Sequence, residues 1–425
     1  MEGVCAAKSC DFSFSVDHVL PNGLGRSGTI TTPHGPISTP AFVVVGTKAT
    51  VKTVTPEQMD QAGAQAVLAN AFHLYLQPGP DIVDEAGGLG RFMNWPGPSF
   101  TDSGGFQVMS LGVGFKKVLA MDVTGMQNDD VIAEGKQRDA QVDEDGVTFK
   151  SPLDGSTHRF TAEVSMGVQH QLGADIMFAF DELTTLMNTR GYQEDSVRRT
   201  QRWAQRCVDE HFRLTDARSG HPYQALFGVV QGAQYEDLRR EACRGLRQTR
   251  AQVPGHEHEG FDGYGIGGAI EKQHLGDIVG WCAEELPDDK PRHLLGISEP
   301  DDLFAACAAG ADTFDCVNPS RTARNGAIYT ARGRYNVTTA ANRRAFVALE
   351  EGCDCYTCTH YTRAYLHHMF KAHEFLGKTL ATIHNERFTI RLVDSIRHAV
   401  RGGEFDALRT EFLGSFYGGA TPGRA

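Results

Sequence analysis

No apolar run in this 425-residue chain approaches the ~20 residues that span a bilayer, and its first residues (MEGVCAAKSCDFSF) lack a basic stretch leading into an apolar one. A membrane-embedded or exported protein is not expected, and the expected location is the cytoplasm. A disulfide framework is also missing, since Cys207, Cys243, Cys282, Cys307 and Cys316 lie singly in apolar segments and read as reduced core residues. No Gly-x-Gly-x-x-Gly follows the first strand-like run, which removes the usual sign of a dinucleotide-binding open sheet. Nor does a His-x-His stand at a strand end, where a metal-dependent barrel hydrolase would need it. Acid is missing from one place. The net charge of -12 excludes a protein that coats nucleic acid over its whole surface, yet Cys316 to Leu349 holds no Asp or Glu. The same stretch carries Arg321, Arg324, Arg332, Arg334, Arg343 and Arg344. It is either a selective phosphate-binding patch or a solvated surface whose acids lie nearby in space, and the sequence leaves both open.

What is present is a repeat of short apolar runs, turns and helix-like segments. The strand candidates are residues 40–46, 64–70, 99–105, 175–181, 225–232, 262–268, 292–297 and 312–317. Helix-like intervals separate most of them, as at 56–63, 192–212, 235–246, 275–286 and 301–309. Eight such steps predict an α/β fold, a closed (β/α)8 barrel whose active site lies where the strands end. Two segments fit the repeat poorly: a polar insertion at 112–142, and 146–161, which reads as a hairpin about Leu153-Asp154-Gly155-Ser156. The expected division is a barrel with N-terminal strands over 1–350 and a helical subdomain over 351–425.

That last region opens on Cys353-x-Cys355-x2-Cys358. Thiolates so closely spaced can enclose one tetrahedral Zn²⁺ with a histidine as fourth ligand, a closed shell that holds structure and leaves no open position. His360, His367, His368, His373 and His384 all follow, and spacing alone does not choose among them. Periodic segments from Tyr361 to His384 and onward to about Val400 predict helices beside the cysteine turn.

The strand ends gather Asn70, Asp102, Ser103, Gln107, Asp181, Gln231 and Asp315. Each alone suits a cap or a loop, but together on one barrel face they would line a pocket for a polar planar ligand. Two aspartates across such a pocket suit substitution at a sugar anomeric carbon, one as nucleophile and one as proton donor. Phe106 offers an apolar face on which a base could stack.

Several longer motifs stand in order: TDSGGFQVMSL (101–111), FAFDE (178–182), LFGVVQG (226–232), FDGYGIGG (261–268), TFDCVNPSRTARNG (313–326) and the cysteine set with its histidine. With them the chain, from about Phe12 to Tyr417, resembles the tRNA-guanine transglycosylases of bacterial type, also called queuine tRNA-ribosyltransferases. The resemblance implies a base exchange on an irregular, zinc-containing (β/α)8 barrel. In it the wobble guanine of tRNA with a GUN anticodon is replaced by a 7-deazaguanine base, preQ1 or queuine. It implies Asp315 as the nucleophile of a covalent ribosyl-enzyme intermediate and Asp102 as general acid and then base. Asp181, Gln231 and Gly268 would read the base, with Ser103 and Gln107 nearby and Phe106 stacking on it. Gly296 to Asp302 and Ser320 to Arg324, including Arg321, match RNA-contacting elements. The resemblance also favours His384 as fourth zinc ligand beside Cys353, Cys355 and Cys358, and a homodimer as the working form.

The chain departs from the pattern at Gly267-Gly268-Ala269-Ile270-Glu271-Lys272-Gln273, where many bacterial members read Gly-Gly-Leu-Ala-Val-Gly-Glu. This leaves the identity of the incoming base open. A non-catalytic tRNA-binding subunit is the rival reading, but it would need neither Asp102 nor Asp315.

Overall fold

The computed structural model describes residues 12–21, 23–110 and 140–418. Along the chain come β1 (Ser13–Val19), β2 (Arg26–Thr32) and β3 (Gly35–Thr39), then β4 (Ala41–Val45), β5 (Val67–Ala69) and β6 (Ser99–Thr101). There follow β7 (Ala140–Val142), β8 (Val147–Lys150) and β9 (Thr157–Phe160). The next five strands are β10 (Ile176–Phe178), β11 (Ala225–Val230), β12 (Gly263–Ile266), β13 (Arg292–Leu294) and β14 (Thr313–Cys316). A last hairpin is β15 (Ala327–Thr330) with β16 (Gly333–Asn336). Strands β4, β5, β6 and β10 to β14 close into a barrel, and all of its pairings are parallel. All eight strand candidates are therefore strands, and the fold is the expected (β/α)8 barrel. The hairpin read at 146–161 is β8 and β9. The insertion at 112–142 lies outside the described residues except for 140–142, which form β7.

The two-residue period of a strand explains the barrel's filling. Val43, Leu68, Phe100, Ile176, Phe178, Ala225, Phe227 and Val229 form one buried cluster. Their neighbours Phe42, Val44, Val67, Met177 and Leu226 join the separate core under the outer helices. Strand β12 gives up side chains to make room. A Cβ on Gly263 would come within 2.5 Å of the Phe227 ring, and one on Gly265 within 2.9 Å of Phe178. Phe12, Ile30 and Ile37 of the N-terminal sheet region belong to the inner cluster and so plug one end of the barrel. Arg26 of β2 locks that plug through a bidentate pair with Asp312 just before β14, at 2.9 and 2.7 Å.

The C-terminal helices differ from expectation in where they break. The observed helices are Arg363–Lys371 and Phe375–Gly402, so the break falls at 372–374, and His384 lies inside one long helix. His373 takes a positive φ of 58° in that short connection, ending the first helix. No helix among the described residues is long and apolar enough to cross a membrane.

Candidate active site and metal-ligand cluster

Strand ends on the C-terminal face bring the expected carboxylates together. Asp102 follows β6, and Asn70, just after β5, acts on it in two ways. The Asn70 side-chain oxygen caps the helix Ala71–Leu76 by accepting from the His73 amide at 3.0 Å, while its nitrogen donates to Asp102 Oδ2. Asp102 Oδ1 accepts from the Ala71 and Gly104 amides at 2.9 and 3.2 Å. These donors favour the carboxylate, but burial outweighs them and, with the nearby charge of Asp315 helping, lifts its pKa to about 7. A carboxyl so poised can give or take a proton near neutral pH.

Asp315 is the penultimate residue of β14, three strands round the barrel from β6. Its Oδ1 accepts from His293 Nε2 and from the Gly296 amide, both at 3.1 Å. Gly296, at φ 79°, was expected to contact RNA; here its backbone holds the candidate nucleophile.

The third group is a linked set of Ser103, Asp181 and Gln231. Asp181 accepts from Ser103 Oγ at 3.0 Å and from Gln231 Nε2 at 2.6 Å. Burial, with Glu182 contributing, raises it to about 6. The Gln231 oxygen is buried and has no protein partner. Gly268, at φ 82°, closes against it, since a Cβ there would lie 2.4 Å from that oxygen. Phe106 is exposed and Gln107 half-buried in the short helix Gly105–Ser110 that follows Asp102. A buried acceptor without a donor beside two protonatable acids is a site prepared to pair with a planar amide or amino edge.

The arginine stretch stands mostly free. Arg321, Arg332, Arg343 and Arg344 are exposed and make no ion pair among the described residues, whereas Arg334 is engaged by Glu299 at 2.7 Å and lies over the Tyr329 ring. Nearby acids thus reach only part of the stretch, Glu299 at Arg334 and Glu386 below Arg324. Two of the residues expected to contact RNA have buried side chains. Asp302 is buried in the first turn of the helix Pro300–Ala308, 3.5 Å from Lys272 Nζ. Ser320 is buried with its hydroxyl on the Val317 carbonyl.

Cys353, Cys355, Cys358 and His384 converge, with one ligand atom of each within 4.8 Å of the others, all four buried and no disulfide among them. His384 Nδ1 lies 3.6, 3.5 and 3.3 Å from the three sulfurs. Metal bonds of about 2.3 Å to sulfur and about 2.0 Å to nitrogen at the tetrahedral angle separate S and N by about 3.5 Å. The four residues thus fit one tetrahedral ion. The Nε2 of His384 donates to the Tyr329 carbonyl at 2.7 Å, which fixes Nδ1 as the ligand atom. Among the other candidates, His360 caps its own helix at the Tyr356 carbonyl and His367 bonds the Val337 carbonyl.

Sequence reasoning missed His293, Asn385 and Glu386. His293 sits in what reads as an ordinary apolar strand. Asn385 donates to the Pro319 and Ala327 carbonyls at 3.2 and 2.9 Å and accepts from the Tyr329 amide at 3.1 Å, tying the helix that carries His384 to the arginine helix Asn318–Ala323. Glu386 is buried below Arg324 and Ser320, and burial pushes it up to about 8. The signal available was the run His-Asn-Glu itself, polar residues on the buried side of a helix.

A parallel barrel with acids gathered at its strand ends, a linked set of buried hydrogen-bonding groups beside them and a Cys3His cluster at its flank has the build of a barrel enzyme. Comparison with known proteins gives the family. Residues 22–418 match the family model described as queuine tRNA-ribosyltransferase. A queuine tRNA-ribosyltransferase of Herpetosiphon aurantiacus is 42% identical over 409 residues, covering 96% of this chain and 93% of that protein. One of Roseiflexus sp. is 42% identical over 413 residues, covering 95% and 99%. A third, of Pelotomaculum thermopropionicum, is 42% identical over 409 residues, covering 96% and 99%. The chain belongs to the queuine tRNA-ribosyltransferase family and is a transferase.

Proposed function

We propose that this enzyme exchanges the wobble guanine of GUN-anticodon tRNA for a 7-deazaguanine base, preQ1 or queuine, by double displacement. Asp315 attacks ribose C1′, the glycosidic bond to guanine breaks, and Asp102 gives its proton to the departing base. The incoming base then returns a proton to Asp102 as its nitrogen displaces the Asp315 carboxylate from C1′, so the configuration is retained. The observation that carries this reading is the contrast between the two acids. Asp102 titrates near neutrality, as a group that both gives and takes a proton must, while Asp315 has one oxygen anchored by two donors. Asp181, Gln231 and the Gly268 backbone would read the base edge, with Ser103 behind Asp181, Gln107 nearby and Phe106 stacking. A base without matching groups would leave the Gln231 oxygen unpaired. A wobble base leaves a single-stranded loop more easily than a duplex.

Zinc is the ion we assign to the Cys3His set, as one structural ion per chain. When bound it closes the shell and adds no open position for chemistry, while His384, Asn385 and Glu386 carry its rigidity to the arginine helix. Arg321 and Arg324 would meet the tRNA backbone, with the loop from Gly296 to Asp302 on the other side of Asp315. Within this reading the barrel spans 1–350 and the zinc-binding helical subdomain 351–425. A cytoplasmic homodimer completes it, for which exposed apolar side chains such as Phe346, Val347, Tyr356, Tyr365 and Phe375 are candidate contacts.

The deciding experiment is incorporation of labelled guanine into unmodified GUN-anticodon tRNA, with an anticodon-mutant tRNA as control. Incorporation lost in the control is the expected result, and competition by preQ1 and queuine then identifies the incoming base. No incorporation by folded, zinc-loaded protein would point to an accessory subunit.

A further inference from the structure

Strand β13 turns His293 into the barrel, where it is wholly buried. Its ring packs against Phe100 and Phe178, at centroid distances of 5.6 and 5.1 Å. A side chain needed only to fill that space would be apolar, because a buried imidazole brings two nitrogens that must be satisfied. Both are. Nδ1 lies 2.8 Å from Thr313 Oγ1, and Nε2 lies 3.1 Å from Asp315 Oδ1. The register explains why: His293 stands opposite Thr313 on β14, and Thr313 and Asp315, two residues apart, face the same side of that strand.

The chemistry of the groups fixes the direction of the bond to Asp315. A carboxylate can only accept, so Nε2 carries the proton that faces Asp315, while the Thr313 hydroxyl, which can donate or accept, holds Nδ1 in place. The Gly296 amide donates to the same Oδ1 at 3.1 Å. Two donors thus hold one carboxylate oxygen, and no donor among the described residues reaches the other.

We propose that His293, oriented by Thr313, is a positioning residue that pins Asp315 Oδ1 so that Oδ2 is the oxygen that bonds to ribose C1′. The inference rests on the nucleophilic role proposed for Asp315. Rotation of the carboxyl about its Cβ–Cγ bond would otherwise present either oxygen over a range of angles, and attack demands a narrow one.

Two amides separate positioning from bulk. In His293→Gln the side-chain nitrogen reaches to where Nε2 lies, while in His293→Asn it reaches only to the Nδ1 position. Wild type and variants are compared in single-turnover formation of the covalent tRNA adduct, in steady-state exchange, and in affinity for free guanine. His293→Asn is expected to slow adduct formation and kcat by about ten- to hundredfold, with KM for tRNA and guanine affinity unchanged. His293→Gln is expected to recover most of that loss. Thr313→Val, which keeps the shape and removes the hydroxyl, should fall between them. Adduct formation at the wild-type rate in His293→Asn overturns the proposal, as does a His293→Gln that melts normally yet is as slow as His293→Asn. Should neither amide variant fold, Thr313→Val decides, and a wild-type rate there overturns it. Asp315→Asn is the control: a trapped adduct in that variant defeats the nucleophile assignment and this inference with it. Loss of adduct in Asp315→Asn alone, with His293→Asn unaffected, defeats only the inference.

Discussion

The barrel mouth and the Cys3His cluster are both polar assemblies sunk into this protein, and they differ in how completely they are satisfied. At the cluster, three sulfurs and one ring nitrogen converge on a single point, and the remaining histidine nitrogen is already on the Tyr329 carbonyl. At the mouth, one Asp315 oxygen is held and the other left, the Gln231 oxygen has no donor, and two acids sit near the pH at which they change charge. Saturation suits a part that holds shape, and unpaired groups suit a part that binds and reacts, the role proposed for the mouth. The comparison can be broken at either end by removing one group.

The largest effect is expected at the mouth. Asp315→Asn keeps an oxygen for His293 and Gly296, so the barrel should fold, while base exchange and the covalent tRNA adduct should disappear by at least about a thousandfold. A denaturing gel reads the adduct directly. At the cluster the same kind of substitution should act on the fold. Cys355→Ser should lose the ion and loosen the apolar cluster of Ile328, Tyr335, Leu349, Leu366 and Leu380 that packs around the cysteines. The cost is several kcal/mol, less than the ~10–16 kcal/mol seen when zinc alone folds a small peptide, because the barrel supports this region. Full zinc occupancy in Cys355→Ser would refute the ligand assignment.

Asp102 lies between these extremes, since its raised pKa is a cost the fold carries for the site. Its ordinary value of 3.8 is lifted to about 7 in the folded protein, chiefly by burial. The native state thus favours the protonated form. The associated stability is fully present below about pH 4 and lost as pH rises towards 7. Asparagine carries no charge, so Asp102→Asn should gain on the wild type between pH 4 and 7, beyond any constant offset from its altered contact with Asn70. Thermal melts at pH 4 and 8 measure this, and an equal difference at both would show that the carboxyl is not buried as described.

The same contrast explains what the sequence made legible. Parallel strands buried on both faces read as continuous apolar runs, so all eight barrel strands could be placed. The cysteine spacing exposed the cluster because its ligands are local in sequence. The partners of the reacting groups were hidden because they depend on register. Nothing in Arg292-His293-Leu294 says that the ring meets Asp315, which is 22 residues away and on the next strand. The burial of Asp302 and Ser320 was hidden for a related reason: a polar letter near a motif does not tell which side of its helix faces the core. The break at 372–374 was missed because it contains neither Gly nor Pro; a histidine in the left-handed region supplies the turn.

The smallest expected effects concern the arginines, and two neighbours sharpen the comparison. Arg321 is exposed and unpaired among the described residues, so Arg321→Ala should leave stability unchanged and weaken tRNA binding through charge alone. The slope of log affinity against log salt should fall by roughly one, the value for one lost phosphate contact. Arg324 is half-buried above Glu386, and burial lowers its pKa despite that neighbour. Arg324→Ala removes packing as well as charge and also leaves Glu386 without its nearest cation. It should therefore lower Tm as well as the salt slope, whereas Arg321→Ala should lower the slope only. Salt titrations of tRNA binding beside thermal melts separate the two. An unchanged slope in Arg321→Ala would mean that the patch is solvated surface, and a normal Tm in Arg324→Ala would mean that the buried acid beneath it does not brace the arginine helix.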